Sequence, residues 1–369
     1  MTTITAAVAR EHHAPLRLEE LELDEIRDNE VRVRMVATGI CHTDAVVRDG
    51  LAPTPLPAVL GHEGTGVVEE VGRSITTVSP GDHVVLAAAY CGTCGQCRAG
   101  RMAYCENVLA QDFGGRRRDG STALSAKDGT PISSHFFGQS SFGTYANVVE
   151  TSIVLVDPAV PPEVLAPLGC GINTGAGSVL NELRPPAGSS FAVTGAGAVG
   201  LAAVMAARVA GCTTIVAIDL HDSRLELARE VGATHTINSG TADMSGELSN
   251  ITGGDGVNYI LDTTGVPAVV SGAAGALAIR GTLALVGAAA PGTEARLRID
   301  VASLLKGWTF KTIVQGSSVP QVFIPALIEL WKQGRFPVDK LVRTYELDDI
   351  NTAFTDSESG ATVKPVIVY

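Results

Sequence analysis

Little in this sequence of 369 residues is suited to gripping a polyanion or crossing a lipid bilayer. Basic charge is scarce: 27 Lys and Arg against 39 Asp and Glu leave a net charge of −12 and a pI near 5.1. Such a chain is repelled by nucleic-acid phosphates and anionic lipid, and its one basic run, Arg116 to Arg118, is short and abuts Asp119, as in a solvated loop. No long apolar run is free of breakers. The stretch 191–211 comes nearest, but Gly195, Gly197, Gly200 and Arg208 interrupt it, so a buried strand followed by a buried helix explains it better than a membrane span. The opening MTTITAAVAREHH has no charged segment followed by an apolar core, so no secretory signal is expected and a cytoplasmic location is. Internal repeats are missing and low-complexity stretches are few. With 45% apolar and 18% charged residues, the composition is that of a globular protein long enough for two domains.

Two patterns divide the chain. From Val31 to Val85 short strands (VRVRMVAT, GTGVVEEVG, HVVLAA) are punctuated by turns such as Ser79-Pro80-Gly81-Asp82, which predicts an irregular, β-rich domain. After Pro185-Pro186 apolar strands alternate with helical segments: SSFAVTG, AVGLAAVMAARVAG, TTIVAID, SRLELAREVG. That alternation predicts a parallel sheet with crossover helices. VNYILDTTG and GTLALVGAA extend it to about Thr312; a helix from Ile324 to Gly334 and a final strand near Val366 follow, and periodicity alone assigns this tail to neither domain.

Seven cysteines in a chain of cytoplasmic character point to metal ligation or catalysis more than to disulfides. Cys91, Cys94, Cys97 and Cys105 form a CxxCxxCx7C array with Gly92, Gly95 and Gly100 between them, so the backbone can wrap tightly while four thiolates converge. Zinc suits four soft ligands in a tetrahedron, and with all positions filled by sulfur it would be structural. An iron–sulfur cluster is the rival occupant, although nothing else here suggests one-electron chemistry. A second, dispersed set comprises Cys41 in CHTD, His62 in GHEGTG and Cys170 in GCGINTG. Each alone is weak; together they offer two thiolates and an imidazole with a fourth position open, as a catalytic zinc requires.

Gly195-Ala196-Gly197-Ala198-Val199-Gly200 is a GxGxxG between a predicted strand and a predicted helix, the setting in which glycines let a pyrophosphate approach the helix N-terminus. Asp219 ends the next strand, where its carboxylate can accept bonds from ribose hydroxyls and repel the extra phosphate of NADP, so NAD is the expected cofactor.

Gly61-His62-Glu63 with Gly66, Gly72 and Ile75, together with the four-cysteine lobe, resembles the zinc-containing medium-chain alcohol dehydrogenase family over essentially the whole chain. The resemblance implies an α/β architecture: a GroES-like β-rich catalytic domain over 1–171 and 314–369, carrying a structural zinc lobe at 91–105, and a Rossmann NAD-binding domain over 172–313. It implies two zinc ions per chain, the catalytic one on Cys41, His62 and Cys170, with Asp44 orienting His62 and Glu63 behind the metal. Thr43 corresponds to the hydroxyl that accepts the alcohol proton, whereas Val46 stands where many relatives carry a relaying histidine. Cofactor contacts are implied for Gly195, Gly197, Ala198, Val199, Gly200, Asp219, Thr174, for Arg224 near the adenosine ribose, and for His42 and Lys364 near the pyrophosphate. GCGINTGAG, the stretch Gly138 to Ala146 and the C-terminal tail are most similar to bacterial aryl-alcohol and benzyl-alcohol dehydrogenases. A primary aromatic or allylic alcohol, oxidised reversibly to its aldehyde, is therefore the expected substrate, consistent with the small Val46 and Ala87. A homodimer or homotetramer is implied. A glutathione-dependent formaldehyde dehydrogenase and a non-catalytic dinucleotide-binding protein are the alternatives.

Overall fold

In the computed structural model, residues 1–287, 289, 292–297 and 300–369 are described. They form two compact units, Met1–Cys170 with Val319–Ile328 and Val342–Tyr369, and Gly171–Ser318 with Glu329–Leu341. The tail expected to join the first unit as a whole from residue 314 is therefore shared: the helix Pro320–Lys332 changes unit within its length, and Val338–Leu341 follows the second unit.

The first unit contains two sheets. One is five-stranded, in the order Ala58–Val59, Thr2–Ala9, Arg17–Leu23, Leu124–Ser125, Pro131–Ile132. The other runs Ile153–Leu155, His83–Leu86, Gly64–Val71, Glu30–Gly39, Lys364–Val368, Val342–Glu346, with Tyr145–Val149 also paired to Glu30–Gly39. Glu30–Gly39 is its hub: alternate residues Val31, Val33, Met35 and Ala37 are fully buried, the period-2 pattern of a strand with one face in a core. Its C-terminal end pairs antiparallel with Lys364–Val368, which places the chain's last strand directly beside the Cys41 loop.

The second unit is a six-stranded parallel sheet in the order His235–Asn238, Thr214–Asp219, Ser190–Thr194, Val257–Asp262, Leu277–Leu285, Thr309–Thr312. Strands covered on both faces are apolar throughout, as Phe191, Ala192 and Val193 show. The apolar stretch 191–211 resolves into Ser190–Thr194 and the helix Ala198–Ala210, which buries Gly200 through Ala207. Strand order reverses between Ser190–Thr194 and Val257–Asp262, the place where open α/β sheets bind ligands at their carboxyl ends. The strand predicted from GTLALVGAA ends at Leu285, and its Ala288 lies outside the described residues. Among the described residues no helix is long and apolar enough to cross a membrane.

Candidate metal centres and dinucleotide site

The sulfur atoms of Cys91, Cys94, Cys97 and Cys105 lie within 4.8 Å of one another. Gly92 and Gly100 adopt φ of +72° and +73°, which turns the chain sharply enough to bring the array together. Backbone amides then point at sulfur: Cys94 N to Cys91 Sγ at 3.3 Å, Cys97 N to Cys94 Sγ at 3.4 Å, and Cys91 N to Cys105 Sγ at 3.4 Å. The backbone amide near Thr93 and the Asn107 side chain draw Cys91 down to about 5, while burial pushes Cys97 up. Four thiols sharing protons in this way fit a divalent cation that replaces those protons, and the donor set leaves it no open position.

The second cluster joins Cys41, His62, Glu63 and Cys170, whose ligand atoms also lie within 4.8 Å of one another. Three separate devices place them. Cys41 caps the short helix His42–Arg48, and Asp44 at its third position accepts the Cys41 amide at 3.0 Å through Oδ2. The other carboxylate oxygen of Asp44 accepts from Gly61 N at 3.1 Å and meets His62 Nδ1 at 2.9 Å, with both side chains fully buried. Cys170 follows the turn Ala166–Gly169, and Gly169 is obligatory there, since a Cβ would sit 2.2 Å from the Leu86 carbonyl.

His62 Nε2 is buried with no well-formed hydrogen bond, its polar neighbour being the Cys41 sulfur. A ring nitrogen orphaned in this way, beside two thiols and with the opposite nitrogen held by a carboxylate, fits the inner-sphere ligand of a cation. A hydrogen bond shared with Cys170 is the main reason Cys41 is held well below the ordinary thiol range against its burial, and the same bond pushes Cys170 well above it. A cation taken up here displaces that shared proton. Thr43 Oγ1 lies 3.9 Å from Cys41 Sγ.

Glu63 and Lys364 are both buried and paired at 2.7 Å, and the Lys364 ammonium also donates to the Ile40 carbonyl at 3.0 Å. Burial pushes the Glu63 carboxyl up although Lys364 opposes it. Gly39 makes room, because a Cβ would meet Glu63 Oε2 at 2.1 Å. Lys364, expected toward the pyrophosphate, is thus the buried counter-charge of Glu63. His42 is exposed in the first turn of its helix, and Val46 and Thr43 are half-buried.

Beyond Asp44 and Glu63, the surroundings of His62 went unread in the sequence. Its ring stacks on Phe137 at 4.5 Å between centroids and meets Phe136 edge-on at 5.5 Å; Phe113 packs against both phenylalanines. Gln139 ties three backbones together, accepting from Gly64 N at 3.0 Å and donating to the carbonyls of His62 and Ala87 at 3.0 and 3.3 Å. Asp112 is fully buried, accepts from Ala89 N at 3.1 Å, and keeps Oδ2 unpartnered; burial pushes it up to about 8. His135, Phe137 and Ser140 all hold φ between +51° and +59°, a left-handed conformation that costs a non-glycine residue about 1–3 kcal/mol. Of these residues, Gln139 and Ser140 fall within the stretch Gly138 to Ala146 that the sequence singled out.

The dinucleotide features belong to the second unit. Gly195 has φ +89°, and a Cβ there would strike Thr263 Oγ1 at 2.3 Å; one on Gly200 would strike the Gly195 carbonyl at 1.8 Å. A Cβ on Gly197 meets nothing within 4 Å, so the loop offers its backbone to a ligand at the N-terminus of Ala198–Ala210. Asp219 closes its strand with Oδ2 accepting from Ala196 N at 2.7 Å and Oδ1 from His221 N at 2.9 Å, and Arg224 stands 3.7 Å from it. Thr174 is half-buried in the helix Gly171–Gly177.

A reversing parallel sheet with a glycine-rich turn, a tetrathiolate lobe and a Cys2His centre with an orphaned imidazole nitrogen define a zinc-binding, NAD(P)-linked dehydrogenase. Comparison with known proteins agrees: residues 27–157 match the alcohol dehydrogenase GroES-like domain and residues 198–332 the zinc-binding dehydrogenase domain. The chain is 42% identical to geraniol dehydrogenase of Castellaniella defragrans, over 99% of this chain and 97% of that protein. Among solved structures, an alcohol dehydrogenase zinc-binding domain protein from Burkholderia ambifaria shares 54% identity with a TM-score of 0.97, covering 100% of this chain and 99% of that one. Benzyl alcohol dehydrogenase of Acinetobacter calcoaceticus shares 47% with a TM-score of 0.96, at the same coverage. The chain belongs to the zinc-containing medium-chain alcohol dehydrogenase family, and it is an alcohol dehydrogenase.

Proposed function

We propose that this chain oxidises primary aromatic or allylic alcohols to their aldehydes, reversibly, with NAD as acceptor and two zinc ions per chain. The observation that carries the reading is His62: Nδ1 fixed on Asp44, Nε2 left beside two thiols, and the ring packed on Phe137 and Phe136. Bound at Cys41, His62 and Cys170, zinc supplies electrophilic polarisation of an alcohol oxygen, and nicotinamide supplies the hydride acceptor. Everything else is work for side chains. Thr43 offers the hydroxyl that takes the alcohol proton, and the absence of any exchangeable proton on Val46 removes one common exit from it. The two phenyl rings packed on His62 make the surroundings of the centre apolar, which favours a flat or branched apolar substrate. The two relatives named for geraniol and benzyl alcohol support an allylic or benzylic substrate.

Asp219 supports NAD over NADP because its carboxylate adds negative charge where a ribose phosphate would go. A homodimer or homotetramer is favoured by an apolar surface on the second unit, where Ile279, Val301, Leu304 and Leu305 are each at least 70% exposed beside the edge strand Thr309–Thr312.

The test is NADH formation with benzyl alcohol, geraniol and ethanol, with zinc measured on the same sample. We expect kcat/KM to be highest on benzyl alcohol or geraniol, with about two zincs per chain. Equal turnover of ethanol, or turnover only with added glutathione, overturns the substrate reading. Asp219→Ala is expected to weaken NAD about tenfold and narrow its advantage over NADP; unchanged kinetics with both cofactors defeats that role.

A further inference from the structure

We propose that Glu30, Arg117 and His135 form a positioning device that holds Phe136 and Phe137 against His62, and thereby sets which alcohols the site accepts. The proposal rests on Cys41, His62 and Cys170 being the catalytic metal centre.

Glu30, 2% exposed, opens the central strand of the first unit and has both oxygens saturated. Oε1 accepts from Arg117 Nε at 2.7 Å and meets His135 Nε2 at 2.9 Å; Oε2 accepts from Arg117 Nη2 at 3.0 Å and from Arg27 N at 2.9 Å. Arg117 spends its remaining donors on Asp24 Oδ2 at 2.9 Å and the carbonyls of Thr122 and Glu25 at 3.2 and 3.3 Å, and the other His135 nitrogen meets Ser134 Oγ at 3.0 Å. A buried ion network of this kind brings little net stability over a well-packed apolar one, because desolvation offsets attraction. What it does supply is a single geometry, since charge-assisted bonds from a planar fork tolerate little displacement.

That geometry is applied at one place. His135 is the first of the left-handed residues in 135–140, and the next two residues are the rings on His62. An unfavourable backbone persists only where its surroundings over-determine it. Here the Glu30 bond anchors one end, and Ser140 Oγ, accepting from Phe136 N at 3.0 Å and donating to the Val59 carbonyl at 2.6 Å, anchors the other. Neither Glu30 nor Arg117 touches the metal ligands; both act through the two phenylalanines.

A double-mutant cycle separates this from general stabilisation. His135→Asn keeps a residue that tolerates the left-handed backbone but loses the Glu30 bond; Phe137→Leu removes the stacked ring. Two readouts on the zinc-loaded, full-length protein are the ratio of kcat/KM for benzyl alcohol to that for ethanol, and the rate of Cys41 carboxymethylation followed by peptide mass. Each single variant is expected to lower the ratio about tenfold and to speed Cys41 alkylation several-fold, and the double variant to match Phe137→Leu alone. Additive effects, or equal loss on both alcohols, overturn the proposal. Should the wild type not prefer aromatic alcohols, the substrate reading fails, while the alkylation cycle still decides the positioning role. Arg117→Lys, which keeps Glu30 paired but not forked, is expected to show the same pattern at reduced size if His135→Asn does not fold; an unchanged ratio and alkylation rate there also overturn it.

Discussion

The two cysteine clusters use the same element for opposite ends. The lobe takes four thiols from one fifteen-residue stretch and meets three of them with backbone amides of the same stretch, so its geometry is local and closed. The Cys41 centre gathers three ligands from segments far apart, replaces a sulfur with an imidazole, and surrounds that imidazole with Asp44, Phe136 and Phe137. A closed sulfur set can only hold the chain together. An open set with an oriented imidazole leaves a coordination position for chemistry. The difference lies less in the ligands than in how much of the fold is committed to aiming them.

Cys41→Ser should break the comparison most severely: turnover falls to background and zinc to about one per chain, while NAD binding to the second unit persists, as read by cofactor fluorescence. Cys94→Ser should leave the Cys41 centre loaded but lower the melting temperature by roughly 5–10 °C. Equal damage to turnover from both changes would erase the distinction. Asp44→Asn sharpens it, since removing the carboxylate that orients His62 should weaken zinc retention about 10–100-fold against a chelator without touching the lobe's zinc.

The smallest expected effect concerns Asp112, which sits just beyond the lobe and has its carboxyl pushed up to about 8 by burial. A carboxyl raised on folding contributes stability that is complete below its unfolded value near 4 and is lost as pH climbs through 8. Asp112→Asn, neutral at every pH, should therefore melt a few degrees above the wild type at pH 8 and level with it at pH 4. Parallel melting curves across that range would show that Asp112 does not ionise on this scale.

What the sequence disclosed followed spacing. The four cysteines, the GxGxxG and the alternating strands and helices are local patterns, and each lies where its pattern places it. The dispersed set Cys41, His62 and Cys170 was weak residue by residue, and the resemblance of Gly61-His62-Glu63 to a family motif gave it its weight. Asp44 apart, the contacts that aim these ligands were not legible: Gln139 reaches Gly64 across 75 positions, and Glu30 reaches Arg117 and His135 across 87 and 105. Such partners are loop residues brought to strands by the tertiary fold, and a polar or aromatic residue carries no local mark of the contact that will bury it. The division of the tail failed for a related reason, because a helix can serve two cores without any change in its own periodicity.

The pairing of Glu63 with Lys364 spans 301 positions, and Lys364 enters the sheet on its last strand. During synthesis the ribosome therefore releases the acid long before its base. Until that strand docks, Glu63 has no buried cation beside it, and a dry, low-dielectric surrounding could close over it only in its protonated form. Burial of Glu63 in its ionised form is thereby tied to the docking of Lys364–Val368 against Glu30–Gly39.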